Sequence, residues 1–205
     1  MIVTALEPDP RRPGSVRVLV DGRAFATVDT AAASGLEPGG PLPDATAERL
    51  ARAADAEAAY RTVLRALERR PHARADLARR LLRRGLAAEA VENALARAER
   101  AGLLDDAAFA RHYVATRTER GRGPARLARD LLALGVARPL VDAAITEQWP
   151  AEADRRALPA ALAAKRAAQL GNLPRPTKRR RLLAFLARRG FTGSEALEAV
   201  AGALR

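Results

Sequence analysis

The chain has 205 residues, no cysteine, 3% aromatic residues and a formal net charge of +12. These values exclude disulfides and thiolate chemistry, and with no apolar run of 18 residues no transmembrane helix is expected. The opening stretch Met1–Pro10 lacks a basic segment followed by an apolar one, so no signal peptide and a cytoplasmic location are expected.

The charge is unevenly spread: −2 over residues 1–55, +5 over 56–104, +1 over 105–150 and +8 over 151–205. Of the 36 basic residues 34 are arginine, which a GC-rich genome would explain, but genome composition does not explain the gradient. Such a field favours a polyanion or an acidic protein surface.

Residues 15–29 read as a β-hairpin. Val16, Val18 and Val20 alternate with Arg17 and Leu19, Asp21-Gly22 is a two-residue turn, and Phe25, Ala26 and Val28 follow. A lone hairpin is marginal in water and must lean on the helices behind it. Residues 34–44 are a loop by composition, which makes residues 1–44 an appendage.

From about residue 45 the pattern is helical. Tyr60, Leu64 and Leu67 share a face, and Pro71 closes that helix. A second helix over 73–84 carries Leu77, Leu81 and Leu82 as its apolar stripe and ends at Gly85. A third over 88–101 turns Val91, Leu95 and Ala98 inward. Residues 45–104 thus form one three-helix module.

The pattern recurs over 105–150. Asp105 is a candidate N-cap. Phe109 and Tyr113 share a face, Gly121-Arg-Gly-Pro124 breaks the chain, and Leu127, Leu131 and Leu132 lead to Gly135, after which Val141 and Ile145 begin a third helix. Trp149-Pro150 links to a more divergent module over 151–205, with an Ala-rich helix over about 152–170, a break at 171–176, and helices near 177–189 and 194–204. Gly85, Gly135 and Gly190 recur at spacings of 50 and 55 residues. The fold class is therefore mainly α: three tandem three-helix modules, helix-turn-helix-like, in an elongated array with an N-terminal β-hairpin.

Most chemical signals have a structural explanation. Asp105-Asp106 at a helix start caps free amides rather than forming a catalytic or metal pair. His72 and His112 have no partners at ligand spacing, and no phosphate-binding Gly-Lys-Ser/Thr loop occurs, so neither metal nor cofactor is expected. The unit around Gly85 has a helix-turn-helix outline, but Glu89 and Glu92 begin its would-be reading helix, where carboxylates repel phosphate.

Two basic stretches remain. Arg117, Arg120, Arg122 and Arg126 surround the break in the second module, and Lys178, Arg179, Arg180 and Arg181 follow the matching break in the third. Arg69, Arg70 and Arg74 are the counterpart in the first. Recurrence at corresponding positions suggests one polyanion-tracking edge, with salt-dependent and largely sequence-independent contacts. The eight residues of the second and third modules are the candidate partner- and nucleic-acid-binding set.

Three segments together, Arg70-Pro-His-Ala-Arg74-Ala-Asp-Leu-Ala-Arg-Arg-Leu81, Ala101-Gly-Leu-Leu-Asp-Asp106-Ala-Ala-Phe109-Ala110 and Arg120-Gly-Arg-Gly-Pro124-Ala-Arg126-Leu127, resemble the RecX regulatory proteins. The turn at Asp21-Gly22 and the segment around Gly35–Gly39 are similar to that family's N-terminal region. The resemblance implies tandem three-helix units and a non-enzymatic function: binding the RecA recombinase filament on single-stranded DNA and inhibiting its ATPase, strand-exchange and coprotease activities, in DNA repair and SOS regulation. It implies no catalytic residues. The expected partners are the RecA filament and single-stranded DNA, with double-stranded DNA as an addition, no membrane, and a monomeric chain. The alternative is a helix-turn-helix transcriptional regulator. A general single-strand binder is disfavoured because base stacking needs aromatic platforms.

Overall fold

The structure, a computed structural model, describes residues 1–150 and 154–205. The chain falls into two compact units, Met1–Leu104 and Asp105–Arg205.

The first unit opens with an antiparallel sheet of three strands in chain order: β1 (Val3–Pro8), β2 (Ser15–Val20) and β3 (Arg23–Asp29). The expected hairpin is β2–β3, and β1 is an addition to it. Asp21 and Gly22 both take positive φ, 49° and 75°, as a tight hairpin turn requires. The first strand pins that turn: Asp21 Oδ1 accepts from the Ile2 amide at 3.0 Å, and Thr4 Oγ1 accepts from the Gly22 amide at 2.8 Å. Phe25 does not follow the alternation. Val18 pairs with Ala26 and Leu19 with Ala24, so Phe25 is the extra residue of a bulge and stays exposed.

One face of the sheet is buried. Val3, Val18, Val20, Ala26 and Val28 share a core with Leu42, Ala47 and Leu50. The expected loop is therefore tied down. A short 3-10 helix (Thr30–Ala33), capped by Asp29, precedes it, and the loop itself pairs with β1 through Val3 N–H to the Gly40 carbonyl at 2.9 Å. Leu50 lies in α1 (Asp44–Arg69), so that helix joins sheet and helices in one unit.

The first helical module is α1 with α2 (Arg74–Arg83) and α3 (Ala88–Arg100). Its seam in α1 is Ala59 and Val63, with Tyr60 and Leu67 flanking, one residue earlier than the expected stripe. Small residues in both helices, Ala59 in α1 and Ala90, Ala94 and Ala98 in α3, belong to this core and allow close helix approach. Leu77 and Leu81 are buried, whereas Leu82 is 45% exposed and is not part of the stripe.

The second unit holds α4 (Asp106–Thr118), α5 (Pro124–Leu134) and α6 (Arg138–Gln148), then α7 (Asp154–Ala168), α8 (Arg175–Arg189) and α9 (Ser194–Ala203). The expected start of the Ala-rich helix, near residue 152, lies outside the described residues. Asp105 caps α4 as expected, accepting from the Ala107 and Ala108 amides at 2.8 and 3.0 Å. In α5, Leu127 and Leu131 are buried but Leu132 is exposed. Trp149 is not a linker residue; it is 3% exposed and belongs to the core. Pro176 does not break α8. It sits in the first turn, where a missing amide hydrogen costs nothing. The third-module core gathers Ala163, Leu182, Leu186, Phe191 and Val200.

The three repeating glycines do one job. Gly85, Gly135 and Gly190 have φ of 83°, 88° and 95°. At each, the next amide reaches back to the helix: Leu86 to Leu81, Val136 to Leu131 and Phe191 to Leu186, at 3.4, 3.1 and 3.0 Å. This 6→1 bond is the Schellman stop, and it turns an apolar residue back under the buried leucine.

Candidate basic interface in the second and third modules

The break between α4 and α5 is a built junction. Gly123 and Gly190 lie so close that a Cβ on Gly123 would meet the Gly190 carbonyl oxygen at 2.6 Å, and one on Gly190 would meet the Arg126 backbone nitrogen at 2.4 Å. Two backbone bonds close the contact: Gly123 N–H to the Arg189 carbonyl at 2.7 Å and Ala125 N–H to the Gly190 carbonyl at 3.2 Å. The Arg189 guanidinium donates to the carbonyls of Arg120 and Gly121, both at 3.2 Å, and lies over the Phe185 ring. The second module's break thus docks on the third module's helix stop.

This junction sorts the four candidate arginines of the second module. Arg117 stacks over Tyr113 at 3.7 Å. Arg122 and Arg126 both pair with Asp130 at 3.0 Å, a half-buried carboxylate one turn along α5. Arg120 is exposed, and its carbonyl takes part in the junction. Their charge is therefore partly spent on holding the break in shape.

The third-module set differs. Lys178, Arg179, Arg180 and Arg181 lie in the first two turns of α8, and none has a carboxylate partner among the described residues. Arg181 is nine residues from Gly190, about 14 Å along the helix axis. The two basic stretches therefore occupy opposite ends of α8 and do not merge into one cluster. The first turn of α8 contains no acidic residue but does contain Arg175. A cation there opposes the helix dipole, at a cost of about 0.3–1 kcal/mol at low ionic strength.

In the first module, Arg74 leaves the proposed edge altogether. It is directed at Glu92 and, at 2.9 Å, at Glu99, which ties α2 to α3. These carboxylates raise its already high pKa further. Asp130, Arg189 and the contact between Gly123 and Gly190 are the structural features of this region that the sequence did not reveal. The i, i+4 spacing of Arg126 and Asp130 was the available signal; the glycine contact, 67 residues apart, left none. Among the described residues no group of three or more His, Cys, Asp or Glu side chains could hold a metal, and no helix is long and apolar enough to cross a membrane.

The first, second and third three-helix domains of RecX match residues 59–97, 105–145 and 160–200. A regulatory protein RecX of Halorhodospira halophila is 38% identical over 153 residues, covering 73% of this chain and 91% of that protein. The chain belongs to the RecX family. A second RecX regulatory protein, from Streptomyces coelicolor, is 38% identical over 150 residues, covering 72% of this chain and 78% of that one. A crystal structure of a regulatory protein RecX superposes with a TM-score of 0.79 over 98% of both chains, at 24% identity. At that identity the likeness speaks for the fold, which is that of RecX: tandem three-helix domains following a small N-terminal sheet. Each matched RecX domain contains one of the glycine stops, so the repeat read from the leucines and glycines is the RecX domain repeat.

Proposed function

We propose that this chain is a non-enzymatic regulator that binds RecA filaments on single-stranded DNA and inhibits their ATPase, strand-exchange and coprotease activities, in DNA repair and SOS regulation. RecX membership supplies the class of partner. The observation that carries the reading is the run Lys178–Arg181: four cations in the first two turns of α8, unpaired among the described residues and beside a dipole end that disfavours them. Folding alone gives no reason to collect charge there, whereas a polyanionic partner does.

In this reading the α8 set makes the principal electrostatic contact, and Arg117, Arg120, Arg122 and Arg126 make a second one near the junction. The contacts are to phosphate and to acidic protein surface. They read no base sequence, and double-stranded DNA is a further polyanion that suits them. The chain acts as a cytoplasmic monomer and needs no cofactor.

The test is binding to DNA-bound RecA as a function of salt. For single-stranded phosphate contacts, log K falls by about 0.7 per neutralised phosphate for each unit of log salt. Neutralising Lys178, Arg179, Arg180 and Arg181 to glutamine should therefore flatten the slope by up to about 3. Replacing Arg122 and Arg126 alone should flatten it less, because Asp130 already holds them. Unchanged affinity and slope in the α8 variant would rule the contact out.

A further inference from the structure

A second basic feature lies in the first unit, away from the eight residues above. The last two turns of α1 and the second half of α2 enclose a cleft of about 660 Å³. Arg65, Arg69 and Arg70 border it from the α1 side, and Arg80, Arg83 and Arg84 from α2. Among the described residues no carboxylate lines it. Of the six arginines only Arg80 has an ion pair among the described residues, with Asp76 at 2.8 Å behind the wall.

The ordinary explanation is that arginines complement the negative ends of helices. Two helix ends supply about half a negative charge each, roughly one in total. With Asp76 counted, about two of six positive charges are answered, which leaves a surplus of about four facing a concave space. Side-chain repulsion of this kind costs stability unless something else fills the cleft. The floor is Ala66, Leu77 and Leu81, with no aromatic ring on which a base could stack. The volume lies in the range of small-ligand sites.

One buried atom in the wall is also unexplained. His72 is 7% exposed, and its Nδ1 has no hydrogen-bond partner. The Asp76 carboxylate comes no nearer than 3.6 Å, and its Oδ2 is engaged by Arg80. Buried polar nitrogens are satisfied in nearly all folded proteins. An anion in the cleft that drew Arg80 towards itself would release Asp76 to close on His72 Nδ1.

We propose that this cleft is an anion site for adjacent phosphate groups, held by the arginines of α1 and α2 independently of the α8 contact. Contiguous phosphates supply several charges within a small volume, and guanidinium forks pair with them bidentately. The source is either a free oligophosphate or the backbone of a nucleic acid. The inference does not rest on the RecA reading, and its assay contains no RecA.

The experiment titrates inorganic tripolyphosphate into the full chain at low salt, by calorimetry and by NMR of the two histidines. Binding is expected, with the His72 ring signals moving and those of exposed His112 unmoved. The triple variant R69Q/R70Q/R84Q should lose affinity by roughly tenfold or more, since three charge-assisted contacts are removed. A variant neutralised at Lys178, Arg179, Arg180 and Arg181 loses the proposed α8 phosphate contact, but tripolyphosphate should still move its His72 signals as it does in the wild type. An oligothymidylate that displaces tripolyphosphate identifies the nucleic-acid backbone as the source, and one that does not identifies the free anion. No binding, an unmoved His72 signal, a His72 response kept by R69Q/R70Q/R84Q or lost in the α8 variant, or equal competition by polyglutamate would overturn the proposal.

Discussion

Gly190→Ala tests whether the second and third modules are joined by the glycine contact. Two glycines of the same unit allow a controlled comparison. Gly171 has φ 55° and no atom within 4 Å of an added Cβ, whereas Gly190 has φ 95° and would push a Cβ to 2.4 Å from the Arg126 backbone nitrogen. At Gly171 the substitution costs only the left-handed strain of an L-residue, about 1–2 kcal/mol. At Gly190 the same strain applies, and α5 must also move. That movement breaks the bonds from Gly123 to Arg189 and from Ala125 to Gly190. Two backbone bonds are worth about 0.5–1.5 kcal/mol each. The expected loss is therefore about 2–5 kcal/mol for Gly190→Ala against about 1–2 for Gly171→Ala. Trp149, the only tryptophan, is buried in this unit and reports its unfolding in urea by fluorescence. Equal destabilisation by the two variants would refute the junction as a tight contact.

Further expectations concern packing and pH. Leu131→Ala should cost about 2–5 kcal/mol, because Leu131 is fully buried. Its neighbour Leu132 is 38% exposed, and Leu132→Ala should stay within about 0.5 kcal/mol in the same urea assay. Burial, together with the Arg70 charge, holds the His72 imidazole below its ordinary value of 6.5, while Asp76 opposes this. The unfolded chain therefore binds a proton first as pH falls. Stability gained from a neutral His72 is present above about pH 6.5 and is lost below it, towards the lower folded value. His72→Asn should flatten the fall in stability between neutral and mildly acidic pH, and the same fall in both proteins would contradict that assignment.

The sequence made much of this architecture readable, because each module spells the same sentence. A buried leucine pair, a glycine and an apolar residue encode a helix, a left-handed stop and a return to the core. The Asp105 cap and the Asp21-Gly22 turn were legible for the same reason: their chemistry is local. The failures were tertiary. Val3–Pro8 alternates poorly and is made a strand by pairing with β2 and by the core beneath it. Leu82 and Leu132 look identical to their buried neighbours until the third helix of each module defines which side is covered. Trp149 beside Pro150 reads as a linker, yet the core takes its ring.

The basic clusters show the same division. Their existence and their place at helix breaks were visible, but their availability was not. Asp130 lies downstream of Arg122 and Arg126 and takes both, and Glu92 and Glu99 lie one helix away and take Arg74. The partners that decide which arginines keep free charge are set by packing, and of the two candidate sets it is the α8 set whose four cations all lack a carboxylate partner among the described residues.

The proposed regulation of RecA is open to one decisive assay, in which the chain is titrated into DNA-stimulated ATP hydrolysis by the cognate RecA on single-stranded DNA. Hydrolysis should fall saturably, and less so when Lys178, Arg179, Arg180 and Arg181 are neutralised. Hydrolysis unchanged at every ratio would rule the regulation out.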